Sequence, residues 1–352
     1  MNKQDEIEKV HGNGIHLVIL GAGASLASTL RNPELNGKQL PLMNNIVEIV
    51  GLNDVLKRLP VEFQKFKNQF EKLFSMLYEL EEYEEERLEM EKRIYEYFED
   101  LKLPDEPTIY DYLIMSLRHR KDVIATFNWD PFLYQAYIRN GKFTKTPGIL
   151  FLHGTVALGY NRIDGSSGPA GCYSKKDKGF FEPTRLLYPV DKKDYNNDDF
   201  IKGQWKSLEY ELKHAERVTV FGYSAPETDV EAINLLQNAW GTPDERNMEQ
   251  FELIDIREEK EATKSWESFI HSHHYDYCTS FFDSSIAWHP RRSVESYRHW
   301  ALPTTPSEAF QKGNPVPQNF KTLEKMWDWY SPLIKAEEEF IRLREEKSKK
   351  KD

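Results

Sequence analysis

The sequence predicts an α/β fold built on a doubly wound parallel sheet. Three observations carry that expectation. Five short apolar runs, His16–Leu20, Val123–Phe127, Gly148–Leu152, Arg217–Phe221 and Phe251–Ile256, are rich in Val, Ile, Leu and Phe without clean alternation. Strands covered on both faces read this way. Helix-like segments lie between the runs, with Pro131–Arg139 after the second and Gln204–Ala215 and Pro226–Trp240 on either side of the fourth. Glycines and polar residues gather where the runs end, and open sheets of this class keep their ligand sites there.

The pattern is Rossmann-like, with a helical insertion and a C-terminal helix added to it. A main unit is expected over 1–300, an insertion within it over 51–120, and an extension over 301–352. At 352 residues, 39% hydrophobic and 30% charged, the chain can bury a sizeable core under a charged surface.

The first run leads into Gly21, Ala22, Gly23, Ala24 and Ser25. Without a Cβ the glycines let backbone approach a pyrophosphate, and a helix opened by Ser25 would aim its first N–H groups at it. Leu26 replaces the third glycine of the dinucleotide fingerprint, and no acidic residue ends a second strand about 20 positions on. This argues against an ordinary dehydrogenase. The bland alternative is a tight strand–helix turn.

About a hundred residues separate the first two runs, far more than a simple crossover of about 10–15 residues needs. Phe63, Phe66, Phe70, Leu73, Phe74, Leu77 and Leu80 recur there at spacings of three and four, before the acidic stretch E-L-E-E-Y-E-E-E-R. Such a stripe suits helices packed on their own domain, or a contact between subunits.

The second run ends in T-F-N-W-D, Thr126 to Asp130, followed by Pro131, which suits a first helical turn. Asp130 can cap that helix and Asn128 can make a turn. Alternatively the pair forms a carboxamide-sized recess, with Asn128 as donor and acceptor and Asp130 as acceptor. His153 ends the third run beside Gly154. A lone histidine is usually a satisfied core residue, yet imidazole titrates near neutrality and serves as a base when it faces a site.

Residues 156–200 carry Gly, Ser and Lys clusters that read as loops. The fourth run ends in Gly222-Tyr223-Ser224, ahead of a helix entered through Pro226, Glu227 and Asp229. Asp255 stands near the end of the fifth, where a carboxylate could hold a ribose hydroxyl. Phe320–Asp352 reads as one amphipathic helix with a lysine-rich end suited to the negative pole of the helix dipole.

Several classes are excluded or disfavoured. A net charge of −11 argues against general nucleic-acid or anionic-membrane binding. Cys172 and Cys278 are too few for a four-cysteine zinc site or a disulfide scaffold, and fit a reducing cytoplasm. His271, His273 and His274 lack partners at metal-site spacing, so no metal is expected. No stretch approaches the roughly 18–20 apolar residues of a membrane span, and no signal core opens the chain. The P-loop, H-E-x-x-H and G-x-S-x-G motifs are missing too.

Taken in order, G-A-G-A-S, T-x-N-x-D, L-H-G and G-Y-S-x-x-x-x-D resemble the sirtuin superfamily. More narrowly they resemble the bacterial sirtuin-like domains of antiphage defence systems, over roughly residues 10–290. The resemblance implies NAD as substrate. Gly21, Ala22, Gly23 and Ser25 would line its diphosphate, with Thr126 on the cofactor side. Asn128 and Asp130 would lie by the nicotinamide and its ribose, and His153 would be the general base. Gly222 and Ser224 would lie beside the phosphates and adenosine ribose, and Asp255 near the adenosine.

Departures narrow the activity. L-A-S-T-L-R-N-P-E-L replaces the family's G-I-P-D-F-R, Phe127 stands where Gln usually does, and there is no C-x-x-C pair for the zinc module that shapes an acyl-lysine tunnel. The expectation is hydrolysis of NAD to nicotinamide and ADP-ribose by a regulated defence effector. It would be gated by homo-oligomerisation, an infection signal or a partner such as a ring-forming ATPase. Protein deacylation, ADP-ribose transfer and non-catalytic sensing of NAD or ADP-ribose remain the alternatives.

Overall fold

The computed structural model describes residues 14–29, 38–174, 179–190, 195, 198–225, 229–246, 250–270, 275–301 and 313–349. β1 (Ile15–Leu20) runs into α1 (Ala22–Thr29), and α2 (Phe70–Tyr78), α3 (Glu84–Glu99) and α4 (Ile109–Ser116) precede β2 (Val123–Thr126). α5 (Phe132–Gly141) leads to β3 (Gly148–Phe151), and β4 (Leu158–Tyr160), β5 (Ser167–Pro169) and β6 (Glu182–Pro183) come next. The chain continues through α6 (Asp199–His214), β7 (Ala215–Phe221), α7 (Val230–Trp240), β8 (Gln250–Ile254), β9 (Tyr275–Cys278) and α8 (Leu323–Lys349).

Six strands form the main sheet in the order β3-β2-β1-β7-β8-β9, and each adjoining pair is parallel. The chain winds outward from β1 in one direction, then returns to β7 and winds in the other. This is a doubly wound, Rossmann-like order, and its reversal point lies between β1 and β7.

Both faces of the sheet are covered. Val18 and Leu20 point into one core with α2, α4, α5 and α8, while Leu17 and Ile19 point into a second core with α6 and α7. Successive strand residues face opposite sides, so a strand buried on both must be apolar throughout.

The insertion packs on the molecule's own sheet. Phe70, Leu73, Phe74 and Leu77 of α2 and Met90, Ile94 and Phe98 of α3 join the core of Val18 and Leu20. Each fully buried side chain of this kind contributes roughly 1.5–3 kcal/mol. Phe66 is only partly buried and Leu80 is exposed, so the predicted stripe frays at those positions. α8 docks through Met326, Tyr330, Leu333 and Ile334, with Tyr330 Oη 2.6 Å from Ser116 Oγ.

Three details depart from the sequence reading. α1 opens at Ala22, not Ser25, because Gly21 already ends the strand by donating to the Phe221 carbonyl while Ala24 N–H returns to Gly21. β9 adds a sixth strand. Within 156–200, β4, β5 and β6 form a three-stranded antiparallel sheet in place of loops. Gly159 and Gly168 face each other across it, and a Cβ on either would strike Phe181. Gly168 makes room for the Phe181 ring and Gly159 for its backbone carbonyl. The histidines at 271, 273 and 274, the helix entry at Pro226 and Glu227, and the last lysines of the tail lie outside the described residues.

Candidate functional site

Strand register brings the polar residues together. Leu20 stands opposite both Thr126 and Phe221, and Thr126 opposite Phe151. The ladder runs one residue further, with Phe127 N–H donating to Leu20 and Leu152 N–H to Thr126. Asn128 and His153 therefore leave neighbouring strands at the same level. Both line a cleft of about 400 Å³ with Gly21, Ala22, Asp130, Gly222 and Ser224.

Two glycine turns floor this cleft. A Cβ on Gly21 would lie 2.5 Å from the Gly222 carbonyl oxygen, and one on Gly222 2.5 Å from Ala24 N. Gly222 also has φ +63°, a left-handed conformation costly for other residues. The close approach these glycines permit is thus first an approach of backbone to backbone. Gly21, Gly23 and Ala24 N–H groups donate within the protein, while Ala22, exposed at the start of α1, lines the cleft.

Asn128 is 8% exposed and its orientation is fixed by its donors. Nδ2 donates to the Gly21 carbonyl at 2.8 Å and to Ser25 Oγ at 2.9 Å, with Tyr110 Oη at 3.2 Å. The Asn128 backbone N–H donates to Thr126 Oγ1 at 3.1 Å. Since Gly21 O can only accept, the amide nitrogen must face it and the oxygen turns away. Only the acceptor of this carboxamide serves the cleft, which corrects the expectation of a donor and an acceptor.

Asp130 combines both of its sequence readings. Its Oδ1 accepts from Phe132 N–H at 3.1 Å, capping α5, and the same side chain lines the cleft. Burial pushes its carboxyl up to about 6, against the opposing pull of the Ser25 hydroxyl and the Phe132 amide. Near-neutral titration of a buried carboxylate is a common property of working groups.

His153 sits edge-on to Phe127, ring centroids 4.8 Å apart, with Nε2 at 3.2 Å from Tyr195 Oη. Phe127 in turn stacks on Tyr223 at 4.0 Å. Burial raises the Tyr195 phenol well above its ordinary range, so it meets the imidazole as a neutral hydroxyl. Tyr223 Oη donates to Asp229 Oδ2 at 2.8 Å, and both residues line the cleft.

The remaining sites read from sequence fall behind or beside the cleft. Ser25 and Thr126 are buried beneath it and hold Asn128, and Gly23 packs on Gly222. Asp255 does not line it; Arg257 chelates its carboxylate through Nε at 3.1 Å and Nη2 at 2.7 Å. Sequence reasoning missed Tyr110, Tyr195, the 40–44 segment and Glu71. Only Tyr110 had a local signal nearby, the helix-starting box of Thr108 and Asp111.

The charges around the cleft are one-sided. Glu71, Asp130 and Asp229 line it, and among the described lining residues there is no Lys or Arg. No cluster suited to a metal ion occurs among the described residues, and no helix there is long and apolar enough to cross a membrane.

No protein-family model matches the chain, and no curated protein matches it. Solved structures similar to it include a Sir2 homologue mutant bound to ADP-ribose, at 13% identity over 77% of this chain and 96% of that one, TM-score 0.34. Another is Sir2 with an inhibitor, 2′-O-acetyl-ADP-ribose and a deacetylated p53 peptide, at 12% identity over 78% and 92%, TM-score 0.37. A Sir2 homologue–NAD complex matches at 13% identity over 78% and 88%, TM-score 0.33. Similarity at this level carries no argument for activity, and the fold stands on the strand order described above.

Proposed function

We propose that this chain hydrolyses NAD at the nicotinamide–ribose bond, giving nicotinamide and ADP-ribose. The observation that carries this reading is the convergence of Asn128, Asp130 and His153 on one acid-lined cleft at the sheet's reversal point. An acidic lining favours the cationic end of a ligand. In NAD that end is the pyridinium, and on cleavage positive charge passes to the ribose.

The reaction needs little covalent help. The C1′–N bond breaks with its electron pair going to the pyridinium nitrogen, which leaves as neutral nicotinamide. A water oxygen bonds to C1′ and gives up a proton. The outward Oδ1 of Asn128 would hold that water or a ribose hydroxyl as acceptor. Asp130 would stabilise the oxocarbenium-like charge, and His153 would receive the proton, a step worth roughly 10²–10⁴-fold. Ala22 N–H and Ser224 would meet the phosphates.

Free hydrolysis of NAD is dangerous to any cell. The motif resemblance to antiphage domains leads us to propose that the activity is an effector of such defence, gated by self-assembly, a partner ATPase or an infection signal. The test is to incubate the purified chain with NAD, at several protein concentrations, and follow free nicotinamide by chromatography. Release without any peptide is the expected result. Release only with an acetylated peptide would replace hydrolysis by deacylation, and tight NAD binding without turnover would make the chain a sensor.

A further inference from the structure

Four polar groups meet at and beneath the wall of the cleft, and one comes from the helical insertion. Tyr110 of α4 is fully buried, with Oη 2.6 Å from Ser25 Oγ and 3.2 Å from Asn128 Nδ2. Ser25 Oγ also accepts from Asn128 Nδ2 at 2.9 Å, and the Ser25 hydroxyl draws the Asp130 carboxyl down against its burial. A hydroxyl buried without need would cost free energy, so a network this complete specifies a geometry.

The helix that brings Tyr110 is itself clamped. Its neighbour Asp111 takes Thr108 N–H and Oγ1 at 2.7 Å each, Arg139 Nε at 2.6 Å and Asn140 Nδ2 at 2.8 Å. Arg139 and Asn140 lie at the far end of α5, the helix that Asp130 caps. A closed bracket results. It runs from Asn128 through Asp130 along α5 to Asp111, and back through Tyr110 to Asn128.

We propose that Tyr110 is a positioning residue of the cleft: its hydroxyl donates to Ser25, directing the Ser25 proton to Asp130 and keeping the Asn128 oxygen outward. This rests on the reading of the cleft as a site of NAD cleavage. Because Tyr110 lies within the insertion, it ties that insertion to the chemistry as well as to the core. The orientation of Asn128 is strict, since a flipped carboxamide would set its oxygen against the Gly21 carbonyl.

Tyr110→Phe removes one oxygen and keeps the ring. The turnover rate for nicotinamide release should fall on the order of 10- to 100-fold, as small misplacements in a site do. The acid limb of its pH profile should move upward, because Asp130 loses a directed donor, while KM for NAD changes less than the turnover rate. A second readout is independent of activity: hydrogen exchange of the Asn128 side-chain amide, identified by its absence in Asn128→Ala. That exchange should be slow in the natural chain and at least about tenfold faster in Tyr110→Phe.

Unchanged amide exchange and an unchanged pH profile would overturn the proposal. If the natural chain releases no nicotinamide, the cleavage reading fails by itself and the exchange measurement still decides the role of Tyr110. Should Tyr110→Phe not fold, Ser25→Ala is expected to give both shifts, and its failure to do so would overturn the proposal equally.

Discussion

Asn128 Nδ2 donates to the carbonyl oxygen of Gly21 at 2.8 Å, joining the end of β2 to the end of β1 across 107 residues of sequence. Asn128→Ala removes a donor from the Gly21 carbonyl and from the Ser25 hydroxyl, which keep Ala24 N–H and Tyr110 Oη as partners, and should cost about 0.5–1.5 kcal/mol per hydrogen bond lost. Asn128→Asp should cost more, since a carboxylate would face that carbonyl. Urea unfolding measures the loss. Both variants should lose nicotinamide release.

His153→Ala should lower release by roughly 10²–10⁴-fold with NAD affinity largely kept. The vacated space borders the cleft, so the fold should survive, as circular dichroism would report. Full activity in the variant would remove His153 from the mechanism.

Asp130 predicts two opposite pH trends. Burial raises its carboxyl from 3.8 to about 6, so between those values the folded chain holds a proton that the unfolded chain has released. Stability from this group is present below pH 3.8 and lost as pH rises to about 6, by at most about 3 kcal/mol. Asp276, also raised to about 6 mainly by burial, adds the same trend. Subtracting the unfolding curves of Asp130→Asn from those of the natural chain isolates the part due to Asp130. Nicotinamide release should rise through pH about 6 in the natural chain as the ion forms, and Asp130→Asn should lack that rise.

Gly222→Ala and Gly51→Ala separate crowding from backbone conformation. Both glycines have positive φ, +63° and +83°, but nothing lies within 4 Å of a Cβ on Gly51, whereas Gly222 would strike Ala24 N at 2.5 Å. Gly51→Ala should cost about 1–2 kcal/mol. Gly222→Ala should cost clearly more and displace the glycine turns. Equal losses in denaturant titration would contradict the backbone packing assigned to the cleft floor.

Glu337 of α8 is buried against Arg291, whose Nε donates to it at 2.8 Å, and lies 3.6 Å from Arg118 Nε. Glu337→Ala leaves buried guanidinium charge uncompensated and should cost about 3–5 kcal/mol. A midpoint within error of the natural chain would show that α8 adds little to the core.

Five of the six strands of the main sheet, and the residues that end β1, β2, β3 and β7, were legible in the sequence. A strand buried on both sides must be apolar along its whole length, and polar residues after it then stand out. The stripe on α2 was equally plain, because helical spacing alone places Phe70, Leu73, Phe74 and Leu77 on one side.

Other features depended on partners distant along the chain. Short-range pattern does not separate a glycine that turns the chain from one that admits a neighbouring residue, so Gly159 and Gly168 read as loop. Nor does it show that Ser25 faces inward, or that Tyr110 reaches Asn128 from a helix 18 residues away. Composition and periodicity determined which segments are strands and where polar groups leave them. Hydrogen-bond direction, register and burial, which exist only once the strands are side by side, decided which of those groups share a cleft and which atoms they present to it.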